Sequence, residues 1–145
     1  MIFSAQQLFS NDQAITATAV STNIIDLGTK GTPYGAATSF NRDVGKGTKI
    51  PVLVQVTEAF NTLTSLTVTI ETSDATDMSS PTVLSSQTIL LAALTVGKQL
   101  NVEVVPNGAT GRYLGIRYTV AGTAPTLGKV TAGITMGNQT NINGV

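Results

Sequence analysis

The sequence predicts a single all-β domain built from half-buried antiparallel strands. Two observations support this fold class: an excess of β-branched residues and a recurring alternation of apolar and polar positions. Threonine alone accounts for 24 of the 145 residues, and with valine and isoleucine it makes up about a third of the chain. Branching at Cβ restricts χ1 and suits a side chain to a pleated surface, so the composition favours sheets.

Seven segments combine β-branched residues with apolar and polar positions arranged as in a strand. They are residues 15–19, 24–27, 50–57, 66–71, 100–104, 114–120 and 130–136. An eighth candidate strand covers residues 83–91, where Gln87, Ile89 and Leu91 share a face, although Ile89–Leu94 could equally form a helical turn. The first ten residues lack alternation, and at most a turn or two of helix is expected there.

Glycine- and proline-rich turns separate these segments, and the longest loop runs from Gly28 to about Lys49. Strands with one apolar face and one threonine-rich face are typical of antiparallel sheets. About eight of them with one long crossing loop predict a two-sheet sandwich or jelly roll. We expect an N-terminal arm at residues 1–12, a jelly-roll domain at 13–137 and a C-terminal tail at 138–145.

The composition argues against several classes of function. The chain contains no cysteine and no histidine, so it lacks thiolate ligands, the commonest metal ligand and the commonest general base. A Ser-His-Asp triad is therefore excluded, although a Ser-Lys pair remains formally possible. We expect no enzymatic activity, no cofactor and no metal.

Charge and hydropathy also restrict the partners. Charged residues make up 11% of the chain, its formal net charge is zero, and its eight lysines and arginines are scattered, which disfavours nucleic-acid binding. The N-terminus does not resemble a secretory signal. No apolar run approaches the roughly 18 residues of a membrane span, so no membrane partner is expected.

Four weak motifs have an ordinary interpretation that we prefer. Residues 45–49 depart from the phosphate-loop pattern and are expected to form a surface loop. Glu71, Asp74 and Asp77 could hold calcium, but their spacing favours a solvated turn. Residues 138–140 form a glycosylation sequon, which we expect to be unused. Tyr118 lies on the apolar face of its strand and is expected in the core, and the few aromatic residues disfavour a sugar-binding platform.

Several segments resemble the capsid cement, or decoration, proteins of tailed bacteriophages. They are residues 1–10 (MIFSAQQLFS), 13–21 (QAITATAVS), 111–118 (GRYLGIRY), 122–125 (GTAP) and 130–134 (VTAGI). The resemblance implies a jelly-roll domain in the virion, on the outer surface of the capsid. There it would bridge major capsid protein subunits and associate with itself, with a dimer favoured and a trimer possible. The alternative is a carbohydrate-binding jelly-roll module of a phage tail or receptor-binding part.

Apolar residues at the two ends of the chain fall outside the strand pattern. These candidate partner-binding residues are Ile2, Phe3, Leu8, Phe9, Ile142 and Val145. Each end could instead fold back over its own sandwich and cover an open sheet edge. Because the alternating strands already supply an interior, removal of residues 1–9 or 138–145 is expected to leave the domain folded and to weaken its assembly.

Overall fold

A computed structural model of the chain describes residues 3–39, 50–100, 104–105 and 108–136. Within these ranges the chain forms ten strands and two single-turn 3-10 helices, so the predicted all-β class is confirmed. The strands are β1 (Leu8–Ala14), β2 (Ala19–Val20), β3 (Ile25–Asp26), β4 (Ile50–Glu58), β5 (Leu63–Ser73), β6 (Thr82–Leu90), β7 (Gln99–Leu100), β8 (Val104–Val105), β9 (Tyr113–Gly122) and β10 (Lys129–Ile134). The 3-10 helices are Ala5–Gln7 and Leu91–Ala93.

The strands form two five-stranded sheets, and every paired strand is antiparallel to its neighbour. The first sheet has the order β1-β10-β4-β7, and β8 pairs with β4 beside β7. The second sheet has the order β2-β9-β5-β6, and β3 pairs with β9 beside β2. Since successive strands repeatedly change sheet, the chain ties both layers into one domain.

Alternation along the long strands places one face of each sheet in a shared core. Val68 of β5, Tyr118 of β9, and Val54 of β4 are each 0% exposed, and Ala132 of β10 is equally buried. Full burial of an aliphatic side chain contributes about 1.5–3 kcal/mol to stability. The threonine-rich positions between the core residues of β5 and β9 lie on the opposite face of the second sheet, as the sequence predicted.

Most of the predicted strands are present. The segment for which a strand and a helical turn were both considered contains one of each. Residues 50–57, 66–71 and 114–120 lie in β4, β5 and β9, and the segment predicted at 130–136 forms β10 as far as Ile134. The segment 83–91 forms β6 and runs directly into the 3-10 helix Leu91–Ala93. The predicted segment 100–104 begins in β7 and ends in β8, and residues 101–103 lie outside the described part of the chain.

The strand predicted at residues 15–19 is wrong. Strand β1 instead precedes it, at Leu8–Ala14, and residues 16–18 form a bend. Alternation of apolar and polar residues did not identify β1 because this strand is irregular. Phe9 and Ser10 are both buried, although they are neighbours in the sequence. In addition, Asp12 has a positive φ of 49°, and the register with β10 shifts twice. The arm boundary predicted at residue 12 therefore falls inside a strand.

A hydrogen-bonded tyrosine links the two sheets through the core. Tyr118 is fully buried, as predicted, and its hydroxyl lies 2.8 Å from Ser10 Oγ. Since Ser10 donates its only hydroxyl proton to Gln13 Oε1 at 2.7 Å, Tyr118 is the donor to Ser10. Burial raises the pKa of Tyr118 well above that of an ordinary phenol.

The raised pKa predicts an alkaline loss of stability that depends on Tyr118. In the unfolded chain the phenol ionises near pH 10, whereas the folded protein keeps it protonated above that pH. The contribution of Tyr118 to the free energy of unfolding is therefore complete below pH 10 and declines above it. The free energy of unfolding should fall by about 1.4 kcal/mol per pH unit from this group alone. Urea titrations from pH 8 to 11.5 should show a shallower decline for Tyr118→Phe than for the wild type. Parallel curves for the two proteins would contradict this.

Candidate interaction surfaces

The N-terminal segment packs against the outer face of the first sheet. Gly133 of β10 pairs with Leu8 on one side and Leu53 on the other. A Cβ atom on Gly133 would lie only 2.8 Å from Phe3 Cδ1 and 3.1 Å from Leu8 Cδ2, so the glycine makes room for these side chains. Leu53 is 2% exposed although it points away from the core. Phe3 and Leu8 are themselves half-buried, as in the alternative in which the arm folds back over its own sandwich.

Phe9 does not belong to a partner-binding surface. Its side chain is 0% exposed and lies in the core between the two sheets. The prediction that Phe9 binds a partner is therefore corrected, because its ring is not exposed on the surface of the folded chain. The signal was missed because Phe9 stands in a strand that lacks alternation. Ile2, Ile142 and Val145 lie outside the described residues, as do the loop 45–49 and the sequon 138–140.

A buried ion pair organises the outer face of the second sheet. Glu71 of β5 is 3% exposed, and Arg117 Nε of β9 donates to its carboxylate at 2.9 Å. Thr69 donates a further hydrogen bond to Glu71 Oε1 at 2.8 Å, and Arg117 also donates to the Met78 carbonyl oxygen at 3.1 Å. The pair thereby holds the loop between β5 and β6 against the sheet.

The three carboxylates considered as a calcium site have separate protein partners. Glu71 pairs with Arg117, whereas Asp74 accepts a hydrogen bond from the Arg112 backbone N–H and Asp77 accepts one from Ser79. The hydrogen bonds with Ser79 lower the pKa of Asp77. Among the described residues no group of three potential ligands of this kind comes together.

Three of the four sheet edges are short or covered. The β1 edge is capped by the segment after β2, where Asn23 donates from its backbone N–H to the Phe9 carbonyl oxygen at 2.9 Å and from Nδ2 to the Leu8 carbonyl oxygen at 2.6 Å. The opposite edge of the first sheet consists of the two-residue strands β7 and β8. The β2 and β3 edge of the second sheet is equally short.

The fourth edge, strand β6, is long, and its one protective feature in the described structure is a β-bulge near its start, where Val83 and Ser85 pair with successive residues of β5. It runs for nine residues, TVLSSQTIL, and pairs only with β5 within the described ranges. Natural edge strands are commonly protected by charged residues, proline or covering segments. Strand β6 contains no charged residue and no proline, and it exposes Val83 and Leu90 by 52% and 65%.

A groove of about 310 Å³ runs beside this edge, between β6 and β7. Its lining residues are Gln87, Thr88, Ile89, Leu90, Ala93, Lys98, Gln99 and Leu100. Gln87 lies opposite Val68 in the register, so its side chain points to the core side of the sheet. The Gln87 Oε1 atom is buried and has no hydrogen-bond partner among the described residues. We refer to strand β6 with this groove as the β6 edge.

Two further clusters of charged groups on the described surface are engaged in ion pairs. Arg112 forms a two-point ion pair with Asp26 at 2.8 and 2.9 Å and lies 5.1 Å from the centre of the Tyr113 ring. Lys129 contacts Glu58 at 3.2 Å and Asp12 at 3.5 Å, and these contacts, led by the one with Glu58, raise the pKa of Lys129. The surface therefore offers no concentrated field of one sign in the described part of the molecule.

A family comparison matches this fold along most of its length. The family model Bbp16 matches residues 9–134, from the second residue of β1 to the last residue of β10. The chain belongs to the Bbp16 family. The Bbp16 match thus covers both sheets, including the β6 edge and the Glu71–Arg117 pair. A search of curated proteins found no match. No helix in the described residues of this Bbp16-family chain is long and apolar enough to span a membrane.

The two arginine ion pairs should differ sharply in their effect on stability. Arg117→Ala would leave the buried Glu71 carboxylate without its cation, and such losses cost about 3 kcal/mol or more. Arg112→Ala is the matched control, because Arg112 and Asp26 are 40% and 44% exposed, and exposed pairs contribute less than about 1 kcal/mol. Urea denaturation of both variants measures the difference. Equal losses of unfolding free energy would contradict the structural assignment.

The N-terminal truncation should depend on whether Phe9 is retained. Deletion of residues 1–7 keeps β1 and removes the half-buried Phe3, so the domain should fold with a loss of about 1–2 kcal/mol. Phe9→Ala in the full chain should cost about 3–5 kcal/mol, because it opens a cavity in the core. Thermal and urea unfolding test both variants. A Phe9→Ala protein as stable as the wild type would show that the ring is not a core residue.

Proposed function

We propose that this protein is a structural capsid cement, or decoration, protein that binds the outer surface of a phage head. It would bridge major capsid protein subunits, associate with its own copies and stabilise the assembled shell. The proposal carries no enzymatic step and no cofactor. It rests on the resemblance of five sequence segments to such cement proteins.

The structural observation that best supports the proposal is the β6 edge. A small domain that works as a free monomer is expected to protect a nine-residue edge strand, since an unpaired edge promotes association. This chain leaves that edge neutral, and its formal net charge of zero gives little electrostatic resistance to assembly. Both properties suit a protein whose working state is a packed assembly.

We further propose that the two sheets have jelly-roll connectivity. The support is the order in which the chain visits them: β1 in the first sheet, β2 and β3 in the second, β4 in the first, β5 and β6 in the second, then β7 and β8, β9, and β10 in turn. Repeated crossing between two antiparallel layers is characteristic of jelly rolls.

Cementing is a thermodynamic function that a rigid, inert domain can perform. A protein that binds the assembled shell but not free subunits stabilises the shell by mass action, by about 2.7 kcal/mol per site at 100 times its dissociation constant. The alternative, a carbohydrate-binding module, has one specific observation in its favour, the fully exposed ring of Tyr34. A single ring is a small platform for a sugar, so we favour the cement function.

Capsid binding is tested directly with shells prepared without this protein. Added protein should sediment with the shells, appear as density on their outer surface in electron microscopy, and raise the temperature at which they open. Unassembled major capsid protein is the control and should bind it far more weakly. Absence of binding to shells, together with a specific signal on a glycan array that Tyr34→Ala abolishes, would instead support the carbohydrate-binding function.

A further inference from the structure

We propose that strand β6 pairs with β6 of a second copy of this chain, antiparallel and across a two-fold axis that places Gln87 opposite Gln87. The two second sheets would then join into one continuous sheet. This inference rests on the self-association part of the proposed function and not on capsid binding. It assigns that association to one strand and one register.

The backbone of β6 supplies the first part of the argument. One side of the strand is hydrogen bonded to β5 from Thr82 to Leu90, so alternate N–H and C=O groups point to the other side. Such a row of unpaired N–H and C=O groups is a template for pairing with a strand of another chain. Among the described residues no strand occupies that side, whereas the β1 edge is capped by Asn23.

The side chains of β6 make the strand compatible with its own copy. Antiparallel pairing across a two-fold axis sets each residue against a residue of the same strand, so a charged strand would place like charges close together. Strand β6 contains no charge. In the proposed register Ser86 faces Thr88 of the second copy, and hydroxyls in such cross-strand positions can exchange hydrogen bonds.

Gln87 specifies the partner and the register. Its Oε1 atom is buried without a hydrogen bond, a state that costs about 1–3 kcal/mol. Directly opposed residues of an antiparallel pair have Cβ atoms about 4.5–5.5 Å apart. With its side chain rotated so that this oxygen faces the seam, Gln87 would accept a hydrogen bond from Nε2 of Gln87 in the second copy and would donate the same bond in return. An amide is both donor and acceptor, so two glutamines related by a two-fold axis satisfy one another.

The exposed apolar residues lie in the same region. Among the six large hydrophobic side chains that the described residues expose, Val83 and Leu90 belong to β6 and Val96 lies in the turn that follows it. The groove between β6 and β7 opens on the same side as Gln87. A second copy at this edge would cover apolar surface and the unpartnered amide together.

A single cysteine tests the register, because the natural chain has none. Gln87→Cys would place two cysteines directly opposite each other. The distance between their Cβ atoms would be close to the value of about 3.5–4.5 Å found in disulfides. Mild oxidation should convert most of the purified full-length protein to a disulfide-linked dimer on a non-reducing gel. Thr119→Cys is the matched control: Thr119 is exposed on β9 of the same sheet, but β5 separates its strand from the edge. Weak cross-linking of Gln87→Cys, or equal cross-linking of the control, would overturn the proposal.

A charge substitution tests the interface without new chemistry. Sedimentation equilibrium should show a dimer for the wild type and at least a tenfold weaker association for Ser86→Lys, because the two lysines would be diagonal neighbours across the seam, about 7–8 Å apart. Thr119→Lys should associate like the wild type. A wild-type protein that stays monomeric, or a Ser86→Lys protein that dimerises equally well, would refute β6 pairing.

These measurements use isolated protein, so they are independent of capsid binding. Cross-linked Gln87→Cys dimers that fail to bind shells would leave β6 pairing intact and refute the cement function. Shell binding by a protein that does not pair through β6 would support the cement function and refute β6 pairing. The β6 edge would then be a candidate docking site for a strand of the capsid.

Discussion

The hydrogen bond from Tyr118 to Ser10 joins the two sheets across the core, and the path of the chain from β1 to β3 is built around it. A phenol hydroxyl cannot be buried among aliphatic side chains without a partner except at considerable cost. Ser10 can supply that partner only because β1 departs from regular alternation and turns two successive residues inward. Ser10 in turn holds Gln13, which accepts from the Thr22 N–H and donates to the Val20 carbonyl oxygen, both at 3.0 Å. The chain is thereby guided from the first sheet to the second.

That crossing has a consequence for the sheet edges. The segment between β2 and β3 also caps the exposed side of β1 through Asn23, so the first sheet is closed at its long edge by its own chain. Phe3 and Leu8 complete the cover by packing over Gly133 on the outer face. No comparable segment of the described chain returns to β6, where the connection to β7 instead leaves through a 3-10 helix. The same path that seals one edge therefore leaves the other open, so the proposed association through β6 would lie away from the contacts that hold β1 in place.

Sequence patterns predicted what depends on nearest neighbours and missed what depends on long-range contacts. Alternation identified β4, β5, β9 and β10, because a strand with one buried face carries that period in its own residues. It failed at β1, whose burial is set by a bulge and by a tyrosine 108 positions away. The Glu71–Arg117 pair, 46 positions apart, had no local signal either. Gln87 did have a local signal in the sequence, because it is a single amide on the apolar face of its strand. Only the structure shows that its Oε1 atom lacks a hydrogen-bond partner among the described residues.

The buried amide of Gln87 lowers the stability of an isolated chain relative to an aliphatic residue at the same position. This loss bears on the register of the proposed β6–β6 pair. An edge strand of serines, threonines and aliphatic residues specifies its partner's position only weakly, and a slip by one residue reverses which face each side chain occupies. Two opposed glutamines reduce this ambiguity, because they can exchange two amide hydrogen bonds, which an aliphatic residue opposite Gln87 could not provide. Polar residues placed in apolar interfaces are known to select register at the expense of stability. On this argument Gln87 destabilises the monomer slightly so that only one arrangement of two copies relieves it.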